Sequence, residues 1–300
     1  MKLVHYYSPG QGGAWGLLEF DTVHPFATDE GCGGAFLSSL LQWPNPVEAL
    51  AAIYGEVQRG EGISLDELLA APVDPHVPHL LAPLDLQEVW AAGVTYQRSK
   101  VARMEESVGG GSFYDRVYDA ERPELFLKAT PSRVSGPNAP VRIRKDAAWN
   151  VPEPELTVLV SSTGRIVGYT IGNDVSSRDI EGENPLYLPQ AKVYRQSCAL
   201  GPVIWLETEE IERRPFDITL TIERNGAEVF SGSTNTNQMR RTFADLVSWL
   251  MRDNVLPHGA FLMTGTGVVP GDEFTLLPGD VVNIAVPELG VLRNPVVQGD

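Results

Sequence analysis

Residues 149–174 read WNVPEPELTVLVSSTGRIVGYTIGND and have the pattern of a β-hairpin. Two β-branched and apolar runs, at 157–160 and 166–171, flank the polar cluster 161–165. That cluster contains Gly164, which can adopt the positive φ that tight turns require. The pattern therefore predicts two paired strands whose open end carries acidic residues.

The acidic residues at this open end are Glu153, Glu155 and Asp174. Side chains two residues apart on a strand point to the same face, so Glu153 and Glu155 share one. A two-residue loop at 163–164 would set Asp174 opposite Glu153, and a loop at 164–165 would set it opposite Glu155. Either register puts three carboxylates on one face, whereas an odd-length loop would break this parity.

Three packed carboxylates repel one another, which raises their pKa values unless a cation is bound. Ligation by oxygen alone indicates Mg²⁺, with Mn²⁺ or Ca²⁺ as alternatives, rather than Zn²⁺. A solvated acidic edge is the other interpretation, and it would be preferred for a Glu-x-Glu pair alone. The third carboxylate favours a metal site.

Composition limits the classes of partner. Acidic residues outnumber basic ones by 39 to 23 in 300 residues, for a formal charge of −16. This charge disfavours binding to nucleic acid or to an anionic membrane surface, and an anionic substrate would need local positive charge. The sequence shows no secretory signal pattern and no apolar stretch near the roughly 20 residues of a membrane span. Cys32 and Cys198 are too few for a disulfide framework, so we expect a cytoplasmic protein.

The chain divides by pattern near residue 80. Residues 1–80 combine short strand patterns with a helical period at 46–57 and a capping box at 64–67, and prolines punctuate the connector that follows. We predict a small N-terminal α+β domain at 1–80 and a second domain at 81–300. Three successive glycines at 109–111 predict a flexible joint, either a hinged lid at 108–112 or a surface loop.

Several motifs occur in a fixed order, and together they resemble the fumarylacetoacetate hydrolase superfamily over about residues 88–297. They are Glu153-Pro-Glu155 with Asp174, the run 173–179 (NDVSSRD), Lys192 followed by Gly201-Pro202, 264–267 (TGTG), 277–280 (LPGD) and 290–296 (GVLRNPV). The runs 93–99 (GVTYQRS), 102–107 (ARMEES), 122–128 (RPELFLK) and 180–192 (IEGENPLYLPQAK) are similar to the family's 2-keto-3-deoxy-pentonate dehydratase branch.

The resemblance implies a β-rich α+β protein in which a rolled mixed β-sheet catalytic domain follows the small N-terminal domain. It also implies residue roles. Lys192 matches the family's lysine and would be the base, and Glu124 or Glu181 would protonate a departing hydroxyl. Lys128 could contact the substrate or a ligand carboxylate, and Arg178 could pair with either. The candidate substrate-binding residues are Tyr96, Ser99, Lys128, Arg178, Tyr187, Gly265 and Thr266.

One departure from the family pattern bears on the reaction. Hydrolytic members activate water with a histidine and a glutamate, and Ser99 and Ala102 stand at those places here. Elimination of water needs a base and an acid but no nucleophilic water. Together with the resemblance to the dehydratase branch, this departure leads us to expect a metal-dependent dehydratase, and the resemblance implies that it converts a 2-keto-3-deoxy-pentonate to 2,5-dioxopentanoate.

Two other functions stay open at this stage. The first is hydrolysis of acylpyruvates or 2,4-diketo-3-deoxy sugar acids, and the second is a catalytically idle scaffold homologue. The resemblance also implies a homodimer or homotetramer that acts on a small 2-keto acid.

Overall fold

The computed structural model describes residues 1–26, 35–56, 61–96, 117–207 and 214–299. Ser99 and the glycine joint at 108–112 lie outside these ranges. The helices are α1 (Phe36–Leu40), α2 (Pro46–Glu56), α3 (Leu65–Ala70), α4 (Arg178–Glu183), α5 (Leu188–Lys192) and α6 (Phe243–Leu250), with 3₁₀ turns at Pro131–Arg133, Pro185–Tyr187 and Thr236–Gln238.

Strands make up most of the regular structure. They are β1 (Lys2–Ser8), β2 (Gly12–Glu19), β3 (Thr22–Pro25), β4 (Ile63–Ser64), β5 (His79–Leu80), β6 (Glu88–Gly93), β7 (Glu124–Ala129), β8 (Val134–Ser135), β9 (Val141–Ile143), β10 (Asn150–Val151), β11 (Pro154–Val160), β12 (Ile166–Asp174), β13 (Ser176–Ser177), β14 (Cys198–Leu206), β15 (Asp217–Arg224), β16 (Ala227–Asn235), β17 (Ala260–Met263), β18 (Val281–Val286) and β19 (Gly290–Gln298).

The hairpin of β11 and β12 forms the middle of the larger sheet. Its loop has three residues, 162–164, because the Ser161 N–H donates to the Arg165 carbonyl at 2.8 Å. Gly164 takes φ +81°, the conformation that closes such a loop. Both two-residue loops considered from the sequence are therefore wrong.

A β-bulge corrects the parity that this odd-length loop disturbs. Val160 pairs with Ile166 and Leu159 pairs with Gly168, so one extra residue enters β12. Beyond the bulge, the register sets Glu153 opposite Asp174, and their backbones exchange hydrogen bonds of 3.0 and 3.1 Å. The carboxylates thus reach one face, as the first of the two registers predicted.

Two mixed sheets hold the hairpin in place. The larger has twelve strands in the order β4-β3-β2-β1-β14-β12-β11-β17-β6-β7, with β5 joined to β1 and β8 joined to β14. The smaller has five, in the order β16-β15-β18-β19-β9. One core contains Leu156, Ile171 and Ile284 from facing strands of the two sheets, and a second joins Leu159 to helix α1. This β-rich arrangement confirms the predicted α+β class.

The N-terminal strands belong to the larger sheet. Strand β1 pairs antiparallel with β14, so the strands of the first 80 residues extend the sheet that carries the hairpin. The proposed division at residue 80 remains a prediction. Ser64 is the N-cap of α3 as expected, although its side chain makes no capping hydrogen bond to the described residues. None of the described helices combines the length and apolarity needed to cross a membrane.

Candidate metal centre

Three carboxylates meet at the open end of the hairpin, where the bulge-corrected register directs them. Glu153, Glu155 and Asp174 each offer an oxygen within 4.8 Å of the others. Their exposed fractions are 4%, 1% and 1%, so water does not screen their mutual repulsion. Such a buried group of like charges needs cations close by.

Lys192 and Arg178 supply two of these cations. Lys192 ends helix α5, and its Nζ lies 2.7 Å from Oε2 of Glu153, 3.0 Å from Oδ2 of Asp174 and 2.5 Å from Oγ of Ser176. Arg178 begins helix α4, and its Nη2 donates to Oε1 of Glu153 at 2.7 Å. Lys192 therefore bridges two of the three carboxylates.

Lys128 supplies the third cation from strand β7. Its Nζ lies 2.6 Å from Oδ1 of Asp174, and it also donates to the carbonyls of Val175 at 2.9 Å and Lys192 at 2.5 Å. The sequence left two roles open for Lys128, contact with the substrate or contact with a ligand carboxylate. In this structure Lys128 contacts the carboxylate of Asp174. The same bonds connect the backbone of Lys192 to the metal-ligand cluster.

Glu155 is held differently from the other two carboxylates. The backbone N–H of Gly265 donates to its Oε2 at 2.5 Å, and no lysine or arginine among the described residues forms an ion pair with it. Burial raises the pKa of Glu155, and the neighbouring charges of Asp174 and Glu153 raise this pKa further. A hard divalent cation would remove this penalty, and the all-oxygen donor set fits Mg²⁺.

Gly265 and Thr266 lie at the site with their polar groups engaged. The resemblance made both residues candidates for substrate binding. In this structure the Gly265 N–H is bonded to Glu155, and the Thr266 hydroxyl donates to the Val268 carbonyl at 3.0 Å. The sequence did not predict these two hydrogen bonds, because the motif at 264–267 does not show which strand lies across from it.

A cavity opens over the carboxylates. Its remaining walls are Ala92, Gly93, Val94, Phe126, Arg178, Lys192, Gly265 and Thr266. Glu124 of β7 pairs with Gly93 of β6, and a Cβ on Gly93 would lie 2.0 Å from Oε2 of Glu124. The Glu124 carboxylate thus lies over a residue of the cavity wall, and the absence of a side chain at Gly93 leaves room for it.

The other candidate residues differ in how deeply they are buried. Glu181 is buried on helix α4, three residues after Arg178. Tyr96 is also buried, and burial followed by the charge of Glu155 raises its pKa. Tyr187 is 37% exposed and is not among the described residues that line the cavity.

Sequence reasoning missed Ser176 and Phe126. Ser176 stands two residues after Asp174, a spacing that could have revealed its shared face.

Comparison with known proteins identifies the family. The family model described as fumarylacetoacetate (FAA) hydrolase C-terminal matches residues 88–297. A probable 2-keto-3-deoxyxylonate dehydratase of Haloferax volcanii is 49% identical over 218 residues, which cover 73% of this chain and 75% of the relative. A 2-dehydro-3-deoxy-D-arabinonate dehydratase of Saccharolobus solfataricus is 47% identical over 299 residues, covering 99% of this chain and 96% of the relative.

A solved structure agrees over the full length. It is a 2-keto-3-deoxy-D-arabinonate dehydratase complexed with magnesium and 2,5-dioxopentanoate, and it is 37% identical. Its TM-score is 0.82, with 100% of this chain and 99% of that chain covered.

Proposed function

This chain belongs to the fumarylacetoacetate hydrolase family, and on that premise we propose that it is a Mg²⁺-dependent dehydratase of a 2-keto-3-deoxy-pentonate, with 2,5-dioxopentanoate as product. The relatives named above support this substrate class, because two are pentonate dehydratases and the solved one holds magnesium and 2,5-dioxopentanoate. The observation that carries the proposal is the buried carboxylate triad with a lysine amine 2.7 Å from one of its members.

Glu153, Glu155 and Asp174 would hold the cation. When bound, a hard divalent ion supplies Lewis-acid polarisation of the keto group, which makes the neighbouring C3–H more acidic. Lys192 lies at the edge of the triad and takes a proton from C3 in its amine form. Lys128 and Arg178 keep positive charge beside the carboxylates and hold Asp174 and Glu153 in position.

The leaving hydroxyl needs a proton donor. Among the described residues, Glu124, over Gly93, and the buried Glu181 are our candidates for this role. Removal of a C3 proton and departure of the protonated C4 hydroxyl release one water and form a C3–C4 double bond. A proton then moves from C5 to C3, and the resulting C4–C5 enol becomes the aldehyde, so the balance is the loss of one water.

A two-substrate assay tests the proposed function. The purified protein, with and without Mg²⁺, would be incubated with a 2-keto-3-deoxy-pentonate and separately with an acylpyruvate, and products would be identified by NMR. We expect an aldehyde resonance from the pentonate alone, abolished by chelation of the metal and by Asp174→Asn. Cleavage of the acylpyruvate with no turnover of the pentonate would establish the hydrolase instead, and inactivity on both in a metal-binding protein would refute catalysis of either reaction.

Assembly and location belong to the same proposal. The protein would be a cytoplasmic homodimer or homotetramer, and light scattering of the purified chain would measure its mass.

A further inference from the structure

One metal ligand depends on a single peptide bond for its orientation. Glu153 and Asp174 are each bonded by two cationic side chains, which fix both of their carboxylate oxygens. Glu155 has the Gly265 N–H as its hydrogen-bond donor at 2.5 Å. The direction of that N–H therefore sets where Glu155 presents its other oxygen.

The Thr264–Gly265 peptide carries this N–H, and its carbonyl accepts a hydrogen bond from Thr95. The Thr264 carbonyl and the Gly265 N–H belong to one planar peptide unit and point in opposite directions. The Thr95 hydroxyl donates to that carbonyl at 2.7 Å, and Thr95 is buried. Thr95, the peptide and Glu155 thus form a chain of two hydrogen bonds, in which each bond polarises the peptide and strengthens the other.

Thr264, which precedes Gly265, is also held by hydrogen bonds. The backbone N–H and hydroxyl of Thr264 both donate to the Leu156 carbonyl, at 3.1 and 2.8 Å. Because Leu156 directly follows Glu155, these bonds hold the peptide beside the carboxylate it must orient. Rotation of the peptide would break the bond to Thr95 and the bond to Glu155 together.

Local backbone geometry is adapted to this contact on both sides. Gly265 takes φ +94°, and a Cβ there would lie 2.0 Å from the Thr95 hydroxyl oxygen. Val94 takes φ +53°, an uncommon conformation for a β-branched residue that tends to occur at functional sites. The Arg240 N–H donates to the Thr95 carbonyl at 3.0 Å. The fold therefore brings the Thr95 hydroxyl to a position where only glycine fits opposite.

We propose that Thr95 is a positioning residue for the metal ligand Glu155 and acts through the Thr264–Gly265 peptide. Thr95 is buried and is not among the described residues that line the cavity, so its contact with the site runs through the Thr264–Gly265 peptide. The inference rests on the metal site of the proposed function but not on the identity of the reaction.

Conservative variants test the role by metal binding. Thr95→Val keeps the side-chain shape and removes the hydroxyl, whereas Thr95→Ser keeps the hydroxyl. Loss of a group that orients a metal ligand typically weakens metal binding by roughly 10–100-fold, so we expect that loss for Thr95→Val and recovery to within about threefold for Thr95→Ser. Titration calorimetry of the metal-depleted protein with Mn²⁺ gives the affinity without any substrate.

The matched control is Thr170→Val on strand β12. Thr170 is fully buried and its hydroxyl has no hydrogen-bond partner among the described residues, so this variant should bind Mn²⁺ like the wild type. Unchanged affinity in a folded Thr95→Val, failure of Thr95→Ser to recover, or equal weakening in Thr170→Val would each overturn the inference.

A wild-type crystal structure with Mn²⁺ keeps the inference testable if Thr95→Val does not fold. Both hydrogen bonds of the peptide should be present and Glu155 should ligate the metal. A flipped Thr264–Gly265 peptide would overturn the inference. A protein that binds Mn²⁺ through Glu155 yet dehydrates nothing would refute the proposed function and leave the role of Thr95 intact.

Discussion

Replacing Lys192 with methionine separates the base from the metal ligands. Methionine keeps much of the buried stem and removes an amine that is bonded to Glu153 at 2.7 Å, to Asp174 at 3.0 Å and to Ser176 at 2.5 Å. Breaking a buried ion pair by removing one partner costs about 3–5 kcal/mol. Arg178 and Lys128 still neutralise these carboxylates, so we expect the lower end, about 3 kcal/mol, in the metal-free protein.

This cost applies to the metal-free state, because there the Lys192 ammonium supplies the positive charge that a bound metal ion would otherwise supply. For a chain of 300 residues, a loss of 3 kcal/mol lowers the melting temperature by roughly 5 °C, and saturating Mg²⁺ should restore most of it. Since a competing charge is gone, the metal should bind more tightly, by up to about 150-fold if the whole penalty is recovered.

Catalytic activity, unlike metal affinity, should fall in Lys192→Met. Loss of a positioned general base costs about 10²–10⁴ in rate, and the fall should appear in kcat more than in KM. The wild type should also exchange the C3 protons of 2-oxobutyrate in D₂O, followed by NMR, whereas Lys192→Met should not. Lys145→Met, at an exposed position, is the control and should match the wild type.

Two outcomes would refute this reasoning. Exchange at the wild-type rate in Lys192→Met would move the base to Glu124 or Glu181. Weaker metal binding in the same variant would mean that Lys192 organises the carboxylates and does not compete for them.

Three further changes probe separate parts of the molecule. Burial and the two neighbouring carboxylates raise the pKa of Glu155. The metal-free protein should therefore lose stability as pH rises through that pKa. Over the same pH range the affinity for Mg²⁺ should increase with pH, because binding releases the proton of Glu155. Calorimetry in buffers of different ionisation enthalpy should show no such proton release in Glu155→Gln. Gly93→Ala should displace the Glu124 carboxylate and lower kcat, with Mg²⁺ affinity unchanged by calorimetry; wild-type kcat would exclude Glu124 as the acid. Arg224→Met should destabilise the fold by about 2 kcal/mol in urea unfolding, because it leaves the buried Asp280 without its two guanidinium bonds of 2.7 and 2.8 Å; a loss below 0.5 kcal/mol would contradict this.

The sequence alone determined the features that depend on short-range periodicity. The two-residue spacing of Glu153 and Glu155 fixed their shared face, because side chains alternate along any strand. Apolar runs around Gly164 were enough to place the hairpin, and the order of motifs along the chain was enough to identify the family. None of these inferences needed the position of a distant residue.

Tertiary structure decided how that local pattern is completed. A three-residue loop and a bulge offset each other to bring Asp174 opposite Glu153, and no local propensity fixes such a pair of compensating irregularities. Lys128 reaches the site from strand β7, and Thr95 reaches it from the segment that follows strand β6, both far in sequence from the residues they contact. Which buried groups face one another depends on the register of the whole sheet, and that register follows from the packing of both cores together rather than from any one segment.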